Sequence, residues 1–439
     1  MFGVIFNRTY RHLFLAQVIA QGGTGLATVG LSLLAYELAG KNAGLVLGTA
    51  LTIKMVAYVG LSPVLSALCV HLPRKKLLVT LDILRASVAA FLPFVSEIWQ
   101  VYLLIFVLQS ASAAYTPALQ ATIPLVLPKE SEYTQALSLS RLSYDLESLL
   151  SPGLAALLLM VTSFHGLFVG TMLGFVASAL LVVSALVPKS DVPVKKLSWR
   201  QLGQGMRVYF ATPRLRGALP LFLSVAAGGA MVLVNTVVIV KSELRLSSGD
   251  VALALAVFGG GSMTCAFLVP LLLKHFRERT IMLSGALFLS FALLIGAFFS
   301  SFRGVLVVWL LMGLGYSAVQ TPMGRLLKKS AAAASLPDVF AAQFSLSHLC
   351  WLFAYPAAGW LSSAMGMQTS FIILAAASFV GLTLSTFLWP VREVDVLEHS
   401  HEGLPEDHPH LREGSHLSGK SHQHAFKIDE YHPHWPKSP

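Results

Sequence analysis

Over its first 390 residues the chain alternates long apolar stretches with short polar or Pro/Gly-containing breaks, and then changes character. Twelve apolar stretches stand out, approximately 12–39, 44–70, 77–96, 99–124, 134–160, 164–187, 217–240, 250–273, 280–300, 304–327, 339–364 and 369–390. Each has about the 20 residues that an α-helix needs to cross a bilayer core. Backbone in lipid must satisfy its own hydrogen bonds, so the predicted fold is an all-α membrane protein of twelve helices, spans 1 to 12. The first stretch is itself long enough to span, and no cleavable signal peptide is evident.

A polar stretch over 188–216, with Pro188, Pro193, Trp199 and seven basic residues, divides the chain. It separates an N-terminal six-helix bundle (1–187) from a C-terminal one (217–390), with a tail at 391–439. The halves read as copies. Arg8-Thr-Tyr-Arg11 precedes span 1 as Pro213-Arg-Leu-Arg216 precedes span 7. Thr116-Pro117 in span 4 returns as Thr321-Pro322 in span 10, and Ser138-Leu-Ser-Arg-Leu142 in span 5 as Ser345-Leu-Ser-His-Leu349 in span 11. His71 after span 2 answers His275 after span 8. Six is even, so the copies share one topology about an axis along the membrane normal, with a substrate site near midplane between them.

Charge orients the spans. If the N-terminus is cytoplasmic, the inner loops hold Arg8, Arg11, Arg74, Lys75, Lys76, Lys129, the cluster from Lys189 to Arg216, Lys274, Arg277, Arg279, Arg325, Lys328 and Lys329. The outer loops hold only Lys41, Lys241, Arg245 and Arg303. That asymmetry predicts both termini in the cytoplasm. With 55% hydrophobic and 12% charged residues, the chain is not an ordinary soluble one, and its net charge of +10 reflects cytoplasmic loops and not nucleic-acid binding. Cys69, Cys265 and Cys350 lie in apolar runs without C-x-x-C spacing and read as small core residues.

The turn between spans 4 and 5 carries a specific local pattern. Thr116-Pro-Ala-Leu-Gln-Ala-Thr-Ile-Pro-Leu-Val-Leu-Pro-Lys-Glu130, followed by Tyr133-Thr-Gln-Ala-Leu-Ser138, resembles the P-A-x-x-A-x-I-P-x-L-V-P-x-E signature of bacterial exporters of the major facilitator superfamily. The resemblance covers about residues 1–390, and with a tail that pairs His399/His401, His408/His410, His422/His424 and His432/His434 the chain is similar to the bacterial inner-membrane nickel-resistance exporters of that superfamily. It implies two six-helix halves and secondary active export. The loop between spans 2 and 3 departs from the family's G-x-L-x-D-R-x-G-R-K: here it reads Ser66-Ala-Leu-Cys-Val-His-Leu-Pro-Arg-Lys75, where only Leu68, Arg74 and Lys75 fit. Val70 replaces the acid that in the family is taken to latch the halves on the cytoplasmic side.

Charged groups inside a bilayer are costly and are functional candidates by default. Span 1 carries Gln17, Gln21, Thr24, Thr28 and Ser32, and span 4 carries Gln109, Ser112, Thr116 and Gln120, each at steps of three or four that keep one helical face polar. Either helix–helix hydrogen bonding or the lining of a wet cavity accounts for such stripes. In span 5, Arg141 and Asp145 are spaced to pair, whereas Glu147 lies on another face with Ser140, Ser143 and Ser151 and no local cation. Glu147, ahead of Asp145, is the predicted cation- or proton-carrying carboxylate. Asp82 and Arg85 in span 3 read as a structural pair. Lys54, ten residues into span 2, would repel a bare divalent cation, so it either neutralises an acid such as Glu147 or itself exchanges protons. Asn235 in span 7 and His348 and Cys350 in span 11 are the second half's contributions, His348 standing at the repeat position of Arg141.

The tail holds nine of the chain's 14 histidines, mostly in H-x-H pairs: His399/His401, His408/His410, His422/His424 and His432/His434, with His416 alone. In extended backbone an H-x-H pair shares one side, and imidazole suits Zn²⁺, Ni²⁺, Co²⁺ and Cu²⁺. The tail has no Cys and no Met, which disfavours Cu(I), and its Asp and Glu outnumber its Lys and Arg, which favours divalent cations. Five prolines and the absence of helical periodicity predict a disordered metal-binding segment.

These readings converge on secondary active export of a divalent transition metal, Ni²⁺ first and Co²⁺ next, by proton antiport that confers resistance. The alternative is an exporter of drugs or siderophore-like chelates whose tail only buffers or senses metal. The polar stripes and the repeat disfavour a non-transporting sensor. No catalytic constellation and no G-x-x-x-x-G-K-[ST] run occurs, so neither an enzyme nor ATP drive is expected. The expected partners are a divalent metal ion and the lipid bilayer, with no nucleic acid, no nucleotide and no cofactor beyond the transported cation, and the expected state is a monomer.

Overall fold

The computed structural model describes residues 2–61, 72–188, 199–331, 335–391, 396–400, 415–418 and 421–428, with His432 and Trp435. Every apolar stretch forms helix where it is described. Spans 1 to 6 are Arg8–Ala39, Ala43–Val56 with a π-helical continuation Ala57–Leu61, Arg74–Phe91, Ile98–Val126, Glu130–Leu159 and Phe164–Ser184. Spans 7 to 12 are Leu221–Val237 with a π-helical end Val238–Glu243, Ser248–Leu272, Glu278–Gly296, Phe302–Gln320 with Met323–Ser330, Leu336–Met365 and Met367–Leu388. Among the described residues nine helical stretches are long and apolar enough to cross a membrane. One of these, Arg8–Gly60, contains spans 1 and 2, while spans 5 and 11, which carry Asp145, Glu147 and His348, are not among them.

Local chemistry sets where helices begin. Asn7 caps span 1 by accepting from the Tyr10 amide at 3.0 Å. Ser247 and Asp250 exchange hydrogen bonds in a capping box at the start of span 8, and Ser301 caps span 10. Large apolar side chains such as Leu180, Phe267, Phe288 and Phe387 stay exposed on the bundle's perimeter, as expected where lipid replaces water as the surrounding medium.

The two halves repeat the same helix pairings. Span 1 packs on span 6 and span 7 on span 12; span 3 packs on span 6 and span 9 on span 12. The hydrogen bonds repeat too: Thr171 Oγ1 donates to Gly23 O at 2.8 Å in the first half, and Ser224 Oγ to Ser378 O at 2.9 Å in the second. Span 2 packs on span 11 and span 5 on span 8 across the halves. The first contact is a close backbone approach. A Cβ on Gly48 would lie 2.6 Å from Tyr355 O, and one on Gly359 2.3 Å from Gly44 O. Small residues allow this approach, and dispersion and Cα–H···O contacts then hold the helices without a hydrophobic driving force. The contact sits toward the face opposite the termini, where residues 40–42 also meet the π-helical end of span 7.

Three expectations need correction. The 188–216 stretch is more than a linker. Trp199–Ala211 and Pro213–Ala218 are helices, and Tyr209 donates to Gln343 at the start of span 11. Span 10 is not continuous like span 4. Thr321 and Pro322 form a turn between its two helices, whereas Pro117 sits inside Ile98–Val126, so the shared Thr-Pro pair does not impose one geometry. The tail is not wholly disordered. Val396–Ser400 (β1), Ser415–Ser418 (β2) and Ser421–Ala425 (β3) form an antiparallel sheet in the order β1-β3-β2. What anchors it is apolar: Phe426 and Ile428 are buried in the main hydrophobic cluster, and Ile428 bridges to Ala331 after span 10. A reading focused on the histidines passes over these few apolar residues.

Candidate transport site

Three titratable residues from three spans come together between the halves. Lys54 of span 2 and Glu147 of span 5 interact electrostatically, and Lys54 is also within electrostatic range of His348 of span 11. All three are half-buried. Lys54 stands one turn before the π-helical segment, and its ammonium lies 5.9 Å from the Tyr58 ring centroid. A π-helical insertion widens a helix locally and recurs at functional sites. Of the two roles expected for Lys54, the first has its acid here, Glu147 of another helix.

His348 has a defined tautomer. Its Nδ1 lies 2.7 Å from Phe344 O, and since a carbonyl only accepts, Nδ1 carries a proton, so that in the neutral ring Nε2 is the atom with the lone pair. Its ring also stacks on Phe344, with centroids 3.8 Å apart. Phe344, His348, Trp351 and Tyr355 follow one face of span 11 at steps of four, three and four. Trp351 and Tyr355 lie 5.0 Å apart, Tyr316 of span 10 is 6.3 Å from Trp351, and Phe258 of span 8 is 5.4 Å from Tyr316. Span 7 yields room for this wall at Gly229, where a Cβ would come within 2.1 Å of the Trp351 ring. Sequence reasoning missed the aromatic face, although its spacing was readable. The site therefore offers an acid, a fixed cation, an imidazole lone pair and stacked rings. That set suits an amphipathic organic molecule better than a bare metal ion, which needs convergent ligands.

The polar stripe of span 1 divides on inspection. Gln17 is locked to span 5, donating to Ser143 Oγ and accepting from Ser140 Oγ, both at 3.2 Å. Thr24, Thr28 and Ser32 donate to carbonyls of their own helix. Gln21 differs: both its amide atoms are buried without a hydrogen-bond partner, which leaves them to water or a ligand. In span 4, Ser112 and Thr116 donate to their own helix, Gln109 is buried with Oε1 unpaired, and Gln120 is exposed. Asn235 is buried beside the span 2–span 11 contact, where its Nδ2 donates to Ala358 O at 3.2 Å. It holds helices together at that contact.

Asp82 and Arg85 pair as the sequence suggested, fully within the first half. Ser178 Oγ of span 6 donates to Asp82 Oδ2 at 2.8 Å, and the Arg85 guanidinium stacks 4.0 Å from the Tyr115 ring centroid and 4.6 Å from that of Phe175. The side chains of Arg141 and Asp145 lie outside the described residues, so their expected pairing rests on spacing alone. Residues 66–71 of the span 2–3 loop also lie outside them. Lys75 donates to Ala185 O at 3.0 Å, tying that loop to the end of span 6.

Of the nine tail histidines, His401, His408, His410 and His434 lie outside the described residues. His399, His416, His422 and His424 lie in the sheet, and His432 is buried against Phe426 at 4.7 Å. Among residues whose side chains are described, no group of three or more His, Cys, Asp or Glu is placed to hold a metal.

Relatives with this pattern are transporters. Macrolide efflux protein A of Streptococcus pyogenes is 24% identical over 317 residues, 68% of this chain and 76% of that protein. The protein of the same name from Enterococcus faecalis is 25% identical over 302 residues, covering 63% and 91%. Among solved structures, a bacterial homolog of the human lysosomal transporter Spinster superposes with a TM-score of 0.68 at 12% identity, over 87% of this chain and 97% of that one. The nucleoside transporter NupG gives 0.64 at 13%, over 87% and 98%. The model of the Major Facilitator Superfamily matches residues 13–240 and again 219–418, spanning both halves. With its paired halves and central polar site, the chain belongs to the Major Facilitator Superfamily and is one of its multi-pass membrane transporters.

Proposed function

We propose that the protein exports amphipathic, drug-like organic molecules from the cytoplasm across the bacterial inner membrane in exchange for protons. The observation that carries this reading is the meeting of Lys54, Glu147 and His348 beside the aromatic face of span 11. Stacked rings bind large apolar groups, and one acid among them can choose between a cationic substrate and a proton. The printed names of the relatives, macrolide efflux proteins, support the substrate class. The Lys/Arg asymmetry of the loops supports cytoplasmic termini, and hence a site reached from the cytoplasm in one state and closed at the outer contact of spans 2 and 11. In this role Glu147 releases its proton to one side and recovers one from the other, and Lys54 holds it in place between these steps.

A second reading, export of Ni²⁺ or another divalent cation, is favoured by the histidines of the tail. Lys54 weighs against it, because a fixed ammonium beside Glu147 repels a divalent ion. Uptake into inverted membrane vesicles decides between the two. Accumulation of a labelled macrolide, dissipated by collapsing the proton gradient, is the expected result. Uptake of labelled nickel with no macrolide uptake would overturn the organic-substrate reading.

A further inference from the structure

Spans 1 and 5 pack side by side in a constant register. Tyr10 Oη donates to Ala136 O at 3.3 Å, and Gln17 Nε2 donates to Ser143 Oγ at 3.2 Å; the residues of each pair are 126 positions apart. A Cβ on Gly25 would lie 2.1 Å from the Ser151 Cβ, at the same separation in the chain. Tyr10, Gln17 and Gly25 thus lie on one face of span 1, and Ala136, Ser143 and Ser151 on one face of span 5. Gln21 stands one turn beyond Gln17 and one turn short of Gly25, and Glu147 stands likewise between Ser143 and Ser151. The register therefore sets Gln21 opposite Glu147, a pairing that neither helix shows by itself.

Among the described residues, Gln21 has both amide atoms buried without a hydrogen-bond partner, which calls for a partner in another state of the molecule. We propose, on the reading that Glu147 carries the exchanged proton, that this partner is the protonated Glu147 and that Gln21 is the positioning residue of the proton-loaded site. A carboxylic acid and a carboxamide match as a cyclic pair. The acid O–H donates to the amide oxygen Oε1, and the amide N–H donates to the acid's carbonyl oxygen. Such a pair occupies both of the unpartnered atoms of Gln21. Lys54 cannot take this role, because an ammonium only donates; it meets the ionised carboxylate. Glu147 then changes partner with its proton, facing Lys54 of span 2 when ionised and Gln21 of span 1 when protonated. The proton joins a carboxylate oxygen and later leaves it, and no bond of Gln21 is made or broken.

Other ionisable groups on the helices packed against span 5 stand away from this level. Those of span 1 lie near its ends, from Arg8 to His12 and at Tyr36 and Glu37. Span 8 carries Asp250 in its first turn and Cys265 packed on Ile281. His165 opens span 6, and Tyr115 of span 4 lies over Arg85. Arg141 and Asp145 share span 5 itself. His348 Nε2, which has the lone pair of the neutral ring, is a rival acceptor from span 11.

Infrared difference spectra of the full-length protein in lipid vesicles, taken between alkaline and acid buffer, show the carbonyl stretch of each carboxylic acid that forms. The band that Glu147→Gln removes belongs to Glu147. Gln21→Ala and the length-conserving Gln21→Met should each shift that band to higher frequency, because a carbonyl released from a hydrogen bond stiffens. Gln17→Ala, one turn away and bonded to the same helix, should leave it in place. With the proton-loaded form weakened, protons compete less well with substrate. The substrate KM in acid buffer should therefore fall about fivefold in Gln21→Met, the equivalent of one hydrogen bond. An unmoved band in both Gln21 variants overturns the inference while leaving Glu147 as the proton carrier. So does a band that moves in His348→Phe alone, or a KM that is unchanged or raised. A spectrum unaltered by Glu147→Gln overturns both this inference and the proton-exchange reading.

Discussion

Among the described residues, two groups of charge within the membrane-spanning helices are built differently. Asp82 and Arg85 sit inside the first half, their charges met by one another, by Ser178 and by two aromatic rings. Lys54 and Glu147 also both belong to the first half, but they are half-buried, and Lys54 is within electrostatic range of His348 of the second half, across the boundary that must move. A charge enclosed within its own rigid half serves packing. A charge that faces the other half changes surroundings whenever the halves rock, and only such a charge can couple to transport.

The sharpest way to break this comparison is Glu147→Gln. Glutamine keeps the shape but cannot gain and lose a proton, so substrate-driven proton movement in inverted vesicles, read with a pH dye, should fall to background while the protein still inserts. Normal coupling in that variant would remove Glu147 from the mechanism. Asp82→Asn should act on stability instead: leaving Arg85 buried without its partner costs about 3–5 kcal/mol. Folded yield and the melting temperature in detergent should drop, and the Asp82→Asn/Arg85→Met pair should recover part of the loss. A folded but inactive Asp82→Asn would mean that both groups are functional.

Smaller effects test the boundary itself. Gly359→Ala forces a Cβ toward Gly44 O, and overpacking of this kind costs about 1–3 kcal/mol. Because the contact seals the face opposite the termini, the variant should also slow transport more than its change in melting temperature explains. The smallest expected contrast is within span 1. Gln17→Ala loses hydrogen bonds to Ser140 and Ser143, worth about 1 kcal/mol each, and should lower the melting temperature. Gln21→Ala removes an amide without protein partners, so it should leave stability alone and change the KM for substrate.

Much of this is legible in the residues themselves. The spans, the duplication and the standing of Glu147 as an acid without a local cation follow from hydrophobic length, repeated motifs and helical spacing. Lys54 is readable as a charge needing a partner, with Glu147 as a candidate, though not that the two meet, because span 2 and span 5 are far apart in the chain and come together only through packing. The aromatic face of span 11 is present in the spacing of Phe344, His348, Trp351 and Tyr355 but is hidden among other apolar residues. The stripes of span 1 and span 4 overstate a wet lining: a threonine in a helix can satisfy its hydroxyl on the carbonyl four residues back, as Thr24 and Thr28 do.

The tail shows the same division. Histidine content alone marks it as chemistry for metals, and prolines with scattered charge suggest an unstructured segment. Strand pairing depends on contacts between residues 396–400 and 421–425, and docking depends on Phe426, Ile428 and Trp435 finding Ala331 and Arg214. What the sequence determined was the membrane fold, since solvation by lipid is a property of each segment taken singly. What only the tertiary structure decided was which charges, rings and histidines meet, since those encounters depend on helices and strands distant in the chain being brought side by side.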